Sequence, residues 1–320
     1  MDRRVWLLTD ARMDAHASAG HPERRERREA MAAGVRDAAG AAVEEPPVEA
    51  ATDAEIQAVH DPDYVAALDR AAGAGGGWLD ADTYLVRGSM LAARLAAGAT
   101  IAAAFAVADG DADVAVAAVR PPGHHASVAR GSGFCLLNNV GIAVGALRST
   151  GRAERIGIVD WDVHHGDGTQ ELFDADPNLI YASTHQHPFY PGTGWQGETG
   201  TGAARGTMHN HPLMAGDGDE AFVAAWAEDL LPAIERFAPD AILLSAGYDA
   251  HRADPLANLD VTDAGFGEVA RLLGALSARL GLNGVALTFE GGYDLDAVRA
   301  SAAATVRGIL EGRAAPPGRA

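Results

Sequence analysis

Short, almost unbroken apolar runs alternate with longer alanine-rich stretches along the chain. The runs at 5–8, 114–119, 156–159, 179–182, 241–245 and 285–289 are rich in β-branched residues and too short for helices. Runs of this kind predict strands buried on both faces, because a strand with one wet face would alternate apolar with polar side chains. Between them, 90–108, 140–148, 220–237, 264–280 and 295–311 read as helices. Strands alternating with helices predict one α/β domain over 1–311, a single mostly parallel sheet flanked by helices on both faces. The glycine run 73–77 and the following 78–84 read as a surface loop, and 312–320 as a disordered tail. No linker, internal repeat or low-complexity segment interrupts the pattern.

Polar residues are placed as tellingly as apolar ones. Five of the strands end in a burst of His, Asp, Gly or Tyr, at 120–125, 160–168, 183–187, 246–254 and 290–294. Ligands of open α/β sheets bind at the carboxyl ends of the strands, so these bursts are expected to converge in one crevice.

Composition narrows the picture. With 48% hydrophobic and 22% charged residues in 320, the chain is neither disordered nor collagen-like. It has no long uncharged apolar stretch and too short an apolar start for a secretory signal, so a soluble cytoplasmic protein is expected. Cys135 is the one cysteine, which excludes an intrachain disulfide and a cysteine zinc knuckle. The net charge is −19, and all 25 basic residues are arginine. An acidic field of this size argues against nucleic acid or anionic membrane as a direct partner. A GC-rich or salt-adapted genome would give the same balance, so the charge says little about activity.

Four segments carry candidate chemistry. In Asp160-Trp-Asp-Val-His-His-Gly-Asp-Gly168, alternation along a strand puts Asp160, Asp162 and His164 on one face. Two carboxylates and an imidazole suit zinc, iron(II), cobalt or manganese; a hydrogen-bonded loop with incidental histidines is the bland alternative. In Arg120-Pro-Pro-Gly-His-His125 the paired histidines could be ligands, general bases or caps, and spare carboxylates of the first segment could set their tautomer. In Ser245-Ala-Gly-Tyr-Asp-Ala-His-Arg-Ala-Asp-Pro-Leu256, Asp249 could supply a third ligand, while Asp254 before a proline reads as a turn cap. In Glu290-Gly-Gly-Tyr293 the phenol is either a packing group or a donor to an oxyanion.

Taken together, these motifs resemble the histone deacetylase superfamily, in particular its bacterial and archaeal class II-like deacetylases and acetylpolyamine amidohydrolases. The resemblance also takes in His21-Pro-Glu-Arg24, Val59-His-Asp-Pro-Asp-Tyr64, Gly131-Ser-Gly-Phe-Cys135, Phe189-Tyr-Pro-Gly-Thr-Gly194 and Asn210-His-Pro-Leu213. It implies the arginase–deacetylase fold and a zinc-dependent amidohydrolase, with Fe2+ or Co2+ as alternatives. Asp162, His164 and Asp249 would bind the ion; His125 would be the general base and acid, and His124 its electrostatic support. Asp160 and Asp167 would orient the two histidines, and Tyr293 would hydrogen-bond the oxyanion.

The resemblance further makes Phe134, beside Gly133, and Tyr190 the walls of an acyl-lysine channel, with Leu256 gating its rim. Tyr190 stands where phenylalanine is usual, and Arg25 where proline is common. A structural potassium ion is implied at Asp160, Asp162, His164, Ser183 and Thr184, and a second monovalent site near 173–179. The expected substrate is an acetylated lysine or an acetylated polyamine; the acidic rim residue of the polyamine branch is missing at Leu256. A homo-oligomer is compatible with the family. Two competing readings are a binuclear manganese ureohydrolase and a non-catalytic scaffold that binds acetyl-lysine.

Overall fold

The structure, a computed structural model, describes residues 3–315. In chain order the strands are β1 (Val5–Leu8), β2 (Val43–Glu44), β3 (Gly76–Trp78), β4 (Tyr84–Val86), β5 (Val114–Ala117), β6 (Ile156–Asp160), β7 (Leu179–Gln186), β8 (Met208–Leu213), β9 (Ala241–Ala246) and β10 (Val285–Phe289). The helices are α1 (Arg25–Ala39), α2 (Asp53–Ile56), α3 (Pro62–Gly73), α4 (Ser89–Ala108), α5 (Asn139–Ser149), α6 (Asp167–Phe173), α7 (Asp219–Ala224), α8 (Leu231–Phe237), α9 (Asp263–Arg279) and α10 (Leu295–Ala314).

Eight strands form one sheet in the order β2-β1-β5-β10-β9-β6-β7-β8, every neighbouring pair parallel. The period of two divides the side chains between two cores. Ile156 and Ile158 enter a core with α4 and α5, whereas Val159 and Trp161 enter another with α8, α9 and α10. Both faces are covered, which is why the strands read as unbroken apolar runs. Helix α4 is apolar and long enough to cross a membrane by composition alone, but it is the core helix of the first layer, with most of its residues buried.

Several expectations are corrected. Strands β2 and β8 were not foreseen. They are the sheet's edges, and β8 (MHNHPL) is too polar to look like a strand buried on both faces. Its Pro212 is tolerable because an edge strand needs fewer ladder donors. Strand β7 runs on to Gln186 because β8 pairs with it through Gln186↔Leu213. The expected loop at 73–84 contains a short antiparallel pair, β3 with β4.

The helix expected over 220–237 is α7 and α8 joined by a π-helical segment, Ala225–Leu230. Helix α1 shows no apolar pattern in the sequence, since RERREAMAAGVRDAA is dominated by charge, yet it buries Arg27, Arg28, Met31 and Val35. Helix α10 ends at Ala314, inside the expected tail, and 316–320 lie outside the described residues.

Candidate active site

The strands β5, β10, β9 and β6 are four consecutive neighbours in the sheet. Their carboxyl-terminal loops bring His124, His125, Tyr293, Asp162 and His164 into the wall of one cavity of about 590 Å³. Asp249, from the loop after β9, lies buried beside them.

The segment leaving β6 turns on its own carboxylates. Asp162 N–H donates to Asp160 Oδ1 (3.2 Å), and His164 N–H to Asp162 Oδ1 (2.9 Å). Such local bonds are why aspartate suits both positions. Side-chain ligand atoms of Asp162, His164 and Asp249 lie within 4.8 Å of one another. Asp249 Oδ1 accepts from Val163 N–H (2.9 Å) and Asp162 Oδ2 from Gly291 N–H (2.7 Å). A Cβ at Gly247 or Gly291 would fill the space these carboxylates occupy.

His164 Nδ1 is 3.2 Å from Asp249 Oδ2 but makes its hydrogen bond to Asp162 Oδ1 (3.1 Å). Asp249 Oδ2 is therefore left buried without a hydrogen bond. Burial and the Asp162 charge push the Asp249 carboxyl up. Burial would raise Asp162 too, but the His124 and His164 charges hold it well below the carboxylate range. An orphaned carboxylate oxygen beside a second carboxylate and an imidazole fits a borderline divalent cation.

The tandem histidines follow β5. Their backbone is anchored by Glu290, the first residue of the fourth motif, whose anchoring role the sequence did not show: its Oε2 accepts from Gly123 N–H (2.6 Å) and His124 N–H (3.1 Å). Burial pushes the Glu290 carboxyl up to about 7. His124 Nδ1 donates to Asp160 Oδ2 (3.1 Å), and His125 Nδ1 to Asp167 Oδ1 (2.7 Å).

The two imidazoles are driven apart electrostatically. Burial would depress His124, but Asp162 and Asp160 outweigh it and raise it well above the ordinary value. Burial, with the neighbouring His124 charge, lowers His125 to about 4 despite Asp167. The two neighbouring rings are thus shifted in opposite directions, His124 toward and His125 away from the charged form. Burial pushes the Tyr293 phenol well up, so it keeps its proton.

Aromatic rings wall the cavity. Phe134 meets Tyr293 edge-on at 5.9 Å between centroids; Tyr190 meets His125 edge-on at 5.2 Å, and Phe189, beside Tyr190 in the same motif, stacks on His164 at 5.4 Å. Phe134 adopts φ 69°, a left-handed conformation that bulky residues rarely take, and its N–H donates to Thr83 Oγ1 (3.1 Å). Preceding it, Gly133 leaves room for the His125 ring. Leu256 lies at the exposed rim.

The other anticipated positions are also accounted for. Ser183 is in register with Asp160, and its Oγ is hydrogen-bonded to His185 Nδ1 (2.9 Å). Thr184 Oγ1 accepts from the Trp226 indole (3.1 Å). His165 points away from the ligand cluster, its nitrogens taken up by Thr193 (2.8 Å) and Gln170 (3.0 Å). Asp254 is more than a turn cap: it accepts from Leu256 N–H (2.9 Å) and from Tyr293 N–H (2.7 Å). The unflagged Arg27 donates from Nε to the Gly292 carbonyl (2.6 Å), its guanidinium carbon 4.6 Å from the Tyr293 ring centre.

The chain is similar to known proteins along most of its length. Residues 21–309 match the family model described as the histone deacetylase domain. The chain is 38% identical over 315 residues to "Histone deacetylase 15" of Arabidopsis thaliana, covering 97% of this chain and 56% of that protein. It is 42% identical over 242 residues to a "Probable deacetylase" of Archaeoglobus fulgidus, covering 76% of this chain and 67% of the relative. Among solved structures, the crystal structure of the HDA15 HD domain superposes with a TM-score of 0.90 at 37% identity, covering 97% of this chain and 90% of the other.

Proposed function

The chain belongs to the histone deacetylase family, and on that premise we propose that it hydrolyses the amide of an acetylated lysine or a related acetylated amine. The observation that carries this reading is the convergence, in one cavity beside the Asp162–His164–Asp249 cluster, of two histidines each hydrogen-bonded to its own aspartate and of the Tyr293 phenol. A scaffold that only binds acetyl-lysine has no need of two adjacent histidines each fixed by its own aspartate beside such a cluster. A binuclear ureohydrolase would need further ligands, and His165 is engaged elsewhere.

Asp162, His164 and Asp249 would hold a divalent cation, zinc in the first instance and iron(II) or cobalt as alternatives. Bound there, such an ion supplies Lewis acidity toward the acyl carbonyl and makes water acidic enough to react at neutral pH. The protein groups divide the remaining work. His125, its Nδ1 fixed by Asp167, takes a proton on Nε2 as water adds to the carbonyl carbon, and returns it to the departing amine nitrogen. The Tyr293 phenol donates to the oxygen that becomes negative. The His124 imidazolium, held by Asp160, lowers the energy of that charge without itself transferring a proton.

The aromatic-walled cavity suits an extended alkyl-amide arm. Leu256 at the rim supports a lysine-borne acyl group, whereas the exposed Asp82 carboxylate at the cavity mouth favours a polyamine. A panel of acetyl-lysine peptide, acetylputrescine and acetylspermidine, each with zinc, iron(II) or cobalt, tests both. Preferential cleavage of the peptide is the expected result; no cleavage of any substrate with any ion would remove the proposal.

A further inference from the structure

We propose that Asp254 is a positioning residue for Tyr293, one buried carboxylate tying the phenol-bearing turn to the channel-rim turn so that the phenol reaches the reacting acyl group. The proposal rests on the function proposed above. Asp254 is only 8% exposed, and its two oxygens are divided between two elements. Oδ1 accepts from Leu256 N–H, two residues on; Oδ2 accepts from Tyr293 N–H, 39 residues away, at 2.7 Å. Pro255, between them, has no N–H and a fixed φ, so the side chain of Asp254 makes the bridge.

The Tyr293 turn needs such a tether. It follows two glycines, and Gly292 has φ 119°, so its backbone has unusual freedom. Upstream it is fixed by Gly291 N–H on Asp162 and by Arg27 on the Gly292 carbonyl. The bond from Tyr293 N–H to Asp254 is the attachment closest to the phenol. Loss of that bond would let the ring shift between Phe134 and the Arg27 guanidinium, both of which it touches only through ring contacts.

Asp254→Ser separates this role from simple turn capping. A serine hydroxyl can still accept from the N–H two residues on, but it is too short to serve Tyr293 as well. We expect kcat on acetyl-lysine peptide to fall roughly 10- to 100-fold with KM little changed, as for an active-site group displaced by about 1 Å. In a Tyr293→Phe background the same substitution should change the residual turnover by less than about twofold, since no phenol is left to misplace. Equal losses in the two backgrounds, or no loss in either, would overturn the proposal.

Asp254→Asn carries the same cycle should the serine variant fail to fold: it keeps the volume and one acceptor and turns an amide donor toward the other N–H. Wild-type protein inactive on every acetylated substrate would count against the function, not against the tether. Crystal structures of the wild type and Asp254→Ser then decide: a Tyr293 hydroxyl displaced by about 1 Å or more supports the tether, and an unmoved ring refutes it.

Discussion

Replacing Tyr293 with phenylalanine removes one oxygen atom and leaves the ring's contacts with Phe134 and Arg27 in place. A donor aimed at a developing oxyanion is worth about 10²–10³ in kcat. Tyr293→Phe should therefore lose turnover by that factor while affinity for an uncleaved acetyl-lysine analogue, read by calorimetry, changes little. Loss of both together would mean that the phenol shapes the pocket and does not act on the reaction. A second residue-level expectation concerns His16, buried beside Ser89 (2.7 Å) and stacked on Tyr84. Burial lowers it from 6.5 to about 4, although Glu23 lies 3.6 Å away. Between those two pH values the unfolded chain binds a proton that the folded chain refuses, so stability should fall as pH drops through that window and level off below it. The loss is on the order of 3 kcal/mol. Glu23, held at about 2 by Arg120 and Arg27 against its burial, adds a further loss below its unfolded value of 4.5. His16→Gln should make the upper part of a urea-denaturation pH profile shallower, the lowered His125 still contributing there, and leave the lower part.

At the scale of elements, glycine governs how closely helices pack. Helices α9 and α10 cross where Gly308 has no Cβ, and a methyl there would press on Ala270 Cβ and Arg271 N, each at 3.0 Å, and on the Gly267 carbonyl. Alanine is worth about 1 kcal/mol over glycine inside a helix, but overpacking of this kind costs about 1–3 kcal/mol. Gly308→Ala should thus lower the denaturation midpoint despite its better propensity. Gly73→Ala, at the end of α3 with nothing within 4 Å, should be neutral or slightly stabilising. The same contrast explains what could be read from the sequence. The central strands were legible because burial on both faces leaves an unbroken apolar run, and the candidate-site aspartates and histidines because they cluster within a few residues of strand ends. The edge strands and α1 were not, since half-exposed or arginine-rich elements lack that contrast. Glu290, Arg27 and the second bond of Asp254 were illegible for another reason. Their partners lie 167, 265 and 39 residues away, and no local pattern encodes such pairings.

The whole molecule carries a net charge of −19, and its Asp162–His164–Asp249 cluster keeps two carboxylates close together in the interior. Any added cation will screen the surface charge, so stabilisation by a divalent ion could arise in two ways. The surface contribution is long-ranged and shrinks at high ionic strength, because the Debye length is about 8 Å at 0.15 M salt and about 3 Å at 1 M. The interior contribution is stoichiometric, since an ion that binds only the folded state stabilises it by about 2.7 kcal/mol at 100 times its Kd. For a chain of this size that is a rise in Tm of roughly 5 °C. Asp249→Asn separates the two, because it removes the orphaned Oδ2 charge while altering the total by a single unit. In 0.5 M salt, zinc or cobalt should raise the wild-type Tm by that amount, a chelator should reverse the rise, and the variant should respond weakly or not at all. Equal shifts in the two proteins would assign the whole effect to the surface and leave Asp162, His164 and Asp249 without an ion to hold.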